Sequence, residues 1–377
     1  MTTRKKLLAA AAAVVAGLAA GGPASAAIRT LYPTGGAADV ANVQSMVDIS
    51  NPGDTIVLKA RNLSGVPTAF NFSAMPSGGA VIVDVNRLFI LGELESKAER
   101  IVTRIEGPGS YFYPESYVAF DVRANEVDFR YILFDNLEAA MVIRAGFETT
   151  VVQECAVIDC AHGVFGYGDN DETIVKKCRM RLAGTPTGGN AAVTLQEGSV
   201  DCRVFENVFR GPGRELTAAA VVGILDYNVS TPADGNVYSD NVIRKCDSGI
   251  FVTSSVCQVS RNDIKKCTDG IDVVTEVNTG LFQGTQVVVS ASITDNVCID
   301  HSDDGINLVG VQDSTIARNV LTPVGDYGVD CDESVLGTTS TGNTLVDNVG
   351  TTNCSSLPLE DSGSLRRPHP PVRPIEP

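Results

Sequence analysis

A short phrase recurs through the second half of the chain and sets its geometry. It reads Asn241-Val-Ile-Arg-Lys-Cys-Asp-Ser-Gly249-Ile, then Asn262-Asp-Ile-Lys-Lys-Cys-Thr-Asp-Gly270-Ile. Looser copies run from Asn296 to Gly305-Ile306 and from Asn319 to Gly328-Val329. The Asn-to-Asn steps are 21, 34 and 23 residues and the Gly-to-Gly steps 21, 35 and 23. A period near 22 with one insertion is the mark of a solenoid, in which each copy stacks on the one before. Sequence offsets of one period then become spatial neighbours.

Within each copy the residues after Gly alternate as a strand does, one side to the core and one to the surface. Ile250, Val252, Ile271, Val273, Ile306, Leu308, Val329 and Cys331 are expected to fill the core, with Phe251, Asp272, Asn307 and Asp330 outward. Gly163-Val164, Ala192-Val193 and Gly223-Ile224 fit the same slot in earlier copies. Eight to ten coils account for residues 80–355. The Asn column (Asn207, Asn241, Asn262, Asn296, Asn319, Asn348) reads as structural: Asn tolerates left-handed turn geometry, and stacked amides hydrogen-bond along the axis.

Residues 1–26 read as a secretory signal peptide, with basic Arg4, Lys5 and Lys6, an apolar run from Leu7 to Ala20 and a small-residue site at Ala24-Ser25-Ala26. Residues 27–79 form an N-terminal cap with the first strands. Ala37 to Ile49 has helical periodicity (Val40, Val43, Met46, Val47), which suits a cover for the open end of a solenoid. Residues 356–377 are a Pro-rich tail expected to be disordered. The mature protein is expected to be secreted, extracellular or periplasmic, without a membrane span and monomeric.

The formal charge is −16 and becomes three units more negative once Arg4, Lys5 and Lys6 are removed. An acidic surface with no basic run argues against nucleic acid as partner. It also disfavours capture of a strongly anionic polymer unless a divalent cation bridges the two. Ten Cys in an exported chain permit disulfides. Cys155, Cys178 and Cys202, then Cys246 and Cys267, then Cys331 and Cys354 are each separated by one coil, so buried ladders and coil-to-coil disulfides are both open.

The opening Asn51-Pro-Gly-Asp-Thr-Ile-Val-Leu58 and the Asn-x-Ile…Gly-Ile copies resemble the right-handed parallel β-helix proteins of the pectin-lyase-like superfamily. The resemblance covers nearly all of the mature chain. It implies an all-β, single-stranded right-handed parallel β-helix with an N-terminal capping helix. It leaves the reaction open, because that superfamily includes lyases, hydrolases, epimerases and non-catalytic proteins.

Where the copies differ, acid accumulates. The position two after Gly holds Asp272, Asn307 and Asp330; the one before Gly holds Asp269, Asp304 and Tyr327; the one before that holds Thr268, Asp303 and Asp326. Carboxylates one coil apart raise one another's pKa. Four residues before Gly stand Lys245, Lys266 and His301.

Three readings follow. In the first, paired Asp side chains serve as general acid and base on a glycosidic bond. Thr268-Asp269-Gly-Ile-Asp272 and Asp303-Asp304-Gly-Ile306 resemble the Asn-Thr-Asp and Asp-Asp motifs of polygalacturonase-type hydrolases. The departures are Cys267 in place of the Asn, Gly325-Asp-Tyr-Gly328 in place of Gly-His-Gly, and no following Arg-x-Lys.

In the second, carboxylates bind calcium, with Asp303, Asp304, Asp326 and Asp330 as its ligands. The ion acidifies a uronate for β-elimination by Lys266, His301 or Tyr327. The Asp-Pro-His-Asp motif of alginate epimerases is absent. In the third, the acid is a solvated edge that blocks aggregation. Phe165, Tyr167, Leu225, Tyr227 and Phe251 lie in outward columns of earlier coils, where rings stack on sugar faces, and the insertion Thr275 to Gln286 can wall a groove.

The catalytic candidates are thus Asp269, Asp272, Asp303, Asp304, His301 and Lys266. The substrate-binding candidates are Phe165, Tyr167, Tyr227, Phe251, Asn307 and Tyr327. The partner is a polysaccharide, and the alternative is a non-catalytic binding or structural β-helix.

Overall fold

The computed structural model describes residues 25–75, 79–96, 101–109, 117–183, 189–212, 221–228, 234–274, 288, 290–332, 335–345, 348, 350–352 and 354. The signal segment up to residue 24, the insertion Thr275 to Gln286 and the tail 356–377 lie outside the described residues.

Three parallel sheets run the length of the chain, and each turn of backbone contributes one short strand to each. The first sheet begins at Ile28–Leu31, which pairs in parallel with Thr55–Leu58, so the stacking includes residues ahead of position 80. The third sheet has 11 strands, from Gly79–Val83 to Gly350–Thr352, one more than the upper bound of eight to ten coils.

Alternation within each strand builds the interior. Ile250, Ile271, Ile306 and Val329 pair one to the next and are fully buried, as are Val252, Val273 and Leu308. Full burial of one such side chain contributes about 1.5–3 kcal/mol. The coils come so close at the Gly slot that a Cβ on Gly270 would lie 2.3 Å from the Gly305 carbonyl oxygen. Only glycine fits there.

The Asn column is a hydrogen-bonded ladder. Asn241 donates from both its backbone N–H and its Nδ2 to Asn262 Oδ1 at 3.0 Å, and the pattern repeats from Asn207 through Asn296 and Asn319. Its last member is Asn343, not Asn348; Asn348 instead accepts from Val324 N–H one turn away. The left-handed conformation also falls elsewhere than expected. It belongs to the residue before each Asn (Glu206, Asp240, Arg261, Asp295 and Arg318), while the Asn supplies the amide. At its N-terminal end the ladder meets Cys178, whose N–H donates to Asn207 Oδ1.

The helix Asp39–Asp48 buries Val43 and Val47 against the core that includes Leu58, Phe70 and Val81. It covers apolar side chains that the first coils would otherwise expose to water. Near the other end Cys331 and Cys354 form a disulfide between adjacent coils. No helix among the described residues is long and apolar enough to cross a membrane.

Candidate functional site

The outward side of the third sheet carries two columns in register. One runs Phe165, Thr194, Leu225, Phe251, Asp272, Asn307, Asp330. The other includes Ser248 opposite Asp269. Both change from apolar or neutral to acidic as the axis passes Phe251.

A one-residue insertion makes the acid converge. Eight residues separate Asn262 from Gly270, but nine separate Asn296 from Gly305. The extra residue is absorbed where Asp303 N–H donates to Thr268 O and Gly270 N–H to Asp304 O, so both Asp303 and Asp304 lie opposite Asp269. Two residues opposing one is a β-bulge, a device that re-aims side chains. The Asp304 N–H leaves the backbone ladder and donates to Asp269 Oδ1 at 3.1 Å. Ligand oxygens of Asp269, Asp303 and Asp304 all lie within 4.8 Å of one another.

Burial and mutual repulsion push protons onto this group. Asp304 is 8% exposed, and its carboxyl is pushed up to about 7. Burial is the leading cause, the charges of Asp330, Asp303 and Asp269 add to it, and the Tyr327 N–H donated to its Oδ1 opposes it. Asp272 is buried and pushed up to about 6, again first by burial, with Asp304 and Asp303 adding. Ser248 Oγ and Asn307 Nδ2 donate to Asp272 and hold part of its negative charge.

Asp269, Asp272, Asp303 and Asp304 are therefore brought together. Lys266 and His301 do not share a register position. Counting back four from Gly pairs them, but the inserted residue lies between Gly305 and that position, so Lys266 stacks on Asp300. The two form an exposed ion pair at 3.6 Å. His301 falls in register with Cys267, a core residue, and is itself buried. Of the four expected calcium ligands, Asp303 and Asp304 belong to the converging trio. Asp269 is its third member, while Asp326 is exposed and Asp330 acts on Asp304 through its charge.

The rings do lie on the same side of the sheet. Phe165 and Tyr167 pack with centroids 4.7 Å apart, and Phe165 and Tyr227 are nearly buried while Tyr167 and Phe251 stay partly open. Beside Tyr167 is a cluster that the sequence reading missed. Arg144 sits 5.3 Å from the Tyr167 ring centroid and, with Arg123, pairs with the buried Asp121. Those guanidinium groups hold the Asp121 carboxyl below its ordinary range against the opposing effect of burial. The extended-strand alternation at Val122 and Ile143 is the signal that could have placed these arginines on one face. His162 is buried in the same region, its Nδ1 accepting from Ala191 N–H, and burial pulls its pKa down to about 4.

A second polar group was also missed, this time inside. Asp226 pairs in register with the core residue Val252 and is fully buried. Tyr238, Ser254, Asn228 and Asn236 all donate to its carboxylate.

A sequence profile of the family described as "Periplasmic copper-binding protein (NosD)" matches residues 218–363, less than half of the chain. No curated protein matches in sequence. Among solved structures, the Dettilon tailspike protein is similar with a TM-score of 0.55 and 14% identity over 86% of this chain and 68% of that one. The A-module of a mannuronan C-5 epimerase from Azotobacter vinelandii gives 0.52 and 12% over 81% and 82%. A DFA-IIIase from Arthrobacter chlorophenolicus A6 gives 0.53 and 12% over 81% and 88%. With its three parallel sheets, one capping helix and stacked coils, this chain has a right-handed parallel β-helix fold, as those structures do.

Proposed function

We propose that this is an exported carbohydrate-active protein that hydrolyses glycosidic bonds of a polysaccharide on the outward side of the third sheet, with Asp304 as proton donor. The observation that carries this reading is the buried Asp304 carboxyl gathered within 4.8 Å of Asp269 and the exposed Asp303, where burial and the surrounding charges push it up to about 7. A general acid works best when its pKa lies near the working pH, and an ordinary carboxyl is deprotonated there. Asp304 gives its proton to the glycosidic oxygen. Asp303, open to solvent, is the carboxylate that meets the sugar or its attacking water. Burial first, and then the charges of Asp330, Asp303 and Asp269, keep Asp304 protonated, and those charges favour the positive charge developing on the sugar ring. The partly open Tyr167 and Phe251 rings on the same side offer faces for sugars further along the axis.

A second reading rests on the converging oxygens of Asp269, Asp303 and Asp304, which suit a hard cation such as calcium and thereby a cation-assisted β-elimination. The two readings compete for one group, because a bound cation keeps Asp304 ionised and removes the donor proton. Elimination also needs a base: of the three candidates Lys266 pairs with Asp300 and His301 is buried, which leaves the partly exposed Tyr327 beside Asp304. Copper, named by the matching family, fits poorly. Among the described residues the side chains that converge as ligands are the carboxylates of Asp269, Asp303 and Asp304, without cysteine or histidine, and carboxylates select harder ions. A non-catalytic binding role on the same face is the remaining alternative.

The test is incubation with a panel of uronic-acid and neutral polysaccharides, with calcium or with a chelator, following both reducing ends and the ultraviolet absorbance of unsaturated products. Reducing ends alone, undiminished by the chelator, support hydrolysis. New absorbance transfers the assignment to elimination, and neither signal on any polymer leaves the binding role.

A further inference from the structure

We infer that Cys155 with Cys178 and Cys246 with Cys267 are two further sites of disulfide formation, each stapling one coil to the next. In the structure all four are thiols. Their placement rests on register. Ala156 pairs with Arg179 and Gln153 with Lys176, which sets Cys155 opposite Cys178. Lys245 N–H donates to Lys265 O, and Thr268 N–H to Cys246 O and Asp247 O, which sets Cys246 opposite Cys267. Burial and the neighbouring Cys178 sulfur push the Cys155 thiol up, and the Cys267 sulfur together with burial pushes the Cys246 thiol up, as side-by-side sulfurs would.

Geometry favours closure. Bonded cysteines have Cα atoms about 4.4–6.8 Å apart, and neighbouring strands lie about 4.7–4.9 Å apart. Cys331 and Cys354 are bonded across this same one-coil step, with a Cα separation of 4.9 Å and 23 residues between them. Each of the four cysteines also directly follows a left-handed residue: Glu154, Lys177, Lys245 and Lys266. They stand at turns between sheets, outside the paired strands, where the backbone can adjust to the bond.

The remaining cysteines have no such neighbour. Cys160 pairs with Leu182, and Cys298 with Ile264 and Leu321. Cys202 N–H donates to Asn236 Oδ1, and Cys257 O accepts from Ser292 N–H.

The step is thiol–disulfide exchange with an oxidised thiol oxidoreductase or a small-molecule disulfide. One cysteine thiolate attacks the oxidant's disulfide, forming a mixed disulfide and releasing one thiolate. The second cysteine thiolate then attacks the first cysteine's sulfur and releases the other. The protein loses two electrons and two protons, and the oxidant leaves as two thiols. All four side chains are buried in the finished coil, so exchange belongs to the folding chain, before the next coil covers them. Closing Cys246–Cys267 fixes the turn that leads directly into Asp269, independently of what that carboxylate does.

Purify the full-length exported protein with its thiols trapped, denature it, alkylate it and measure the intact mass. Four alkylated cysteines are expected (Cys160, Cys202, Cys257 and Cys298), and non-reducing peptide mapping should recover linked peptides for both pairs. Cys246→Ser should free Cys267 and raise the count to five; Cys155→Ser should do the same through Cys178. If either variant fails to fold, the wild-type count and map still decide. A count of six or more, or a link between any other two of these eight cysteines, overturns the inference.

Discussion

Asp269 Oδ1 accepts the backbone N–H of Asp304 across one coil, at 3.1 Å. The bond ties the shape of the bulge to the charge inside it, because the acceptor that replaces a ladder carbonyl is itself an anion. Asp269→Asn keeps an oxygen in place and removes the charge. Asp304 should then release its proton at lower pH, and the alkaline limb of the activity profile should move down with little change in thermal stability. Asp269→Ala should instead leave the N–H without its acceptor, at a cost of about 1–3 kcal/mol in denaturant unfolding.

Asp304→Asn should reduce reducing-end release by about 10²–10⁴-fold, the ordinary contribution of a positioned general acid. The fold should survive, since repulsion is removed. Its folded pKa is raised from 3.8 to about 7, so its favourable contribution to stability is fully present below 3.8 and lost as pH rises through 7. Between pH 5 and pH 8 the wild-type melting temperature should therefore fall more than that of Asp304→Asn, measured by thermal unfolding.

Much of this was legible in the sequence. Period-22 copies and Gly-Ile alternation placed the core residues Ile250 to Val329 and the outward row Phe251, Asp272, Asn307, Asp330. What misled was a single inserted residue: counting from Gly305 put His301 beside Lys266, whereas counting from Asn296 puts Asp300 there. Position upstream of a turn has to be counted from the upstream marker. The bulge's pairing of Asp303 and Asp304 against Asp269 was not readable, because it depends on which backbone bonds the extra residue breaks. Asp226 was readable in principle: the alternation that sends Leu225 and Tyr227 outward sends the residue between them into the core.

That interior carboxylate has its own consequence. Burial raises the Asp226 pKa, against the opposing hydrogen bonds from Ser254, Tyr238, Asn228 and Asn236. A raised acid contributes stability below its unfolded value of 3.8 that is lost as pH rises through the folded pKa. Tyr238→Phe removes one donor from the charged form, so it should cost about 1.5–3 kcal/mol, with a larger loss above the folded pKa of Asp226 than below it. Urea unfolding across a pH series checks the sign.

The Asn ladder and the ion pairs beside it should differ sharply in worth. Asn262→Ala strips the buried acceptor for both Asn241 donors and should cost about 1–3 kcal/mol or more. Arg261→Ala removes only the exposed pair with Asp240, worth about 0–1 kcal/mol. Parallel denaturant titrations of the two variants decide it; equal losses would mean that the ladder does not hold the coils together.

The most direct test of the proton-donor assignment is the titration of Asp304 itself. With carbon-13-labelled aspartate, its side-chain carboxyl resonance is the one that disappears in Asp304→Asn, and its chemical shift can be followed from acid to neutral pH. A midpoint near 7 is expected from the burial and the surrounding charges. A midpoint near the ordinary value of 3.8 would leave Asp304 ionised at neutral pH and contradict its role as the acid.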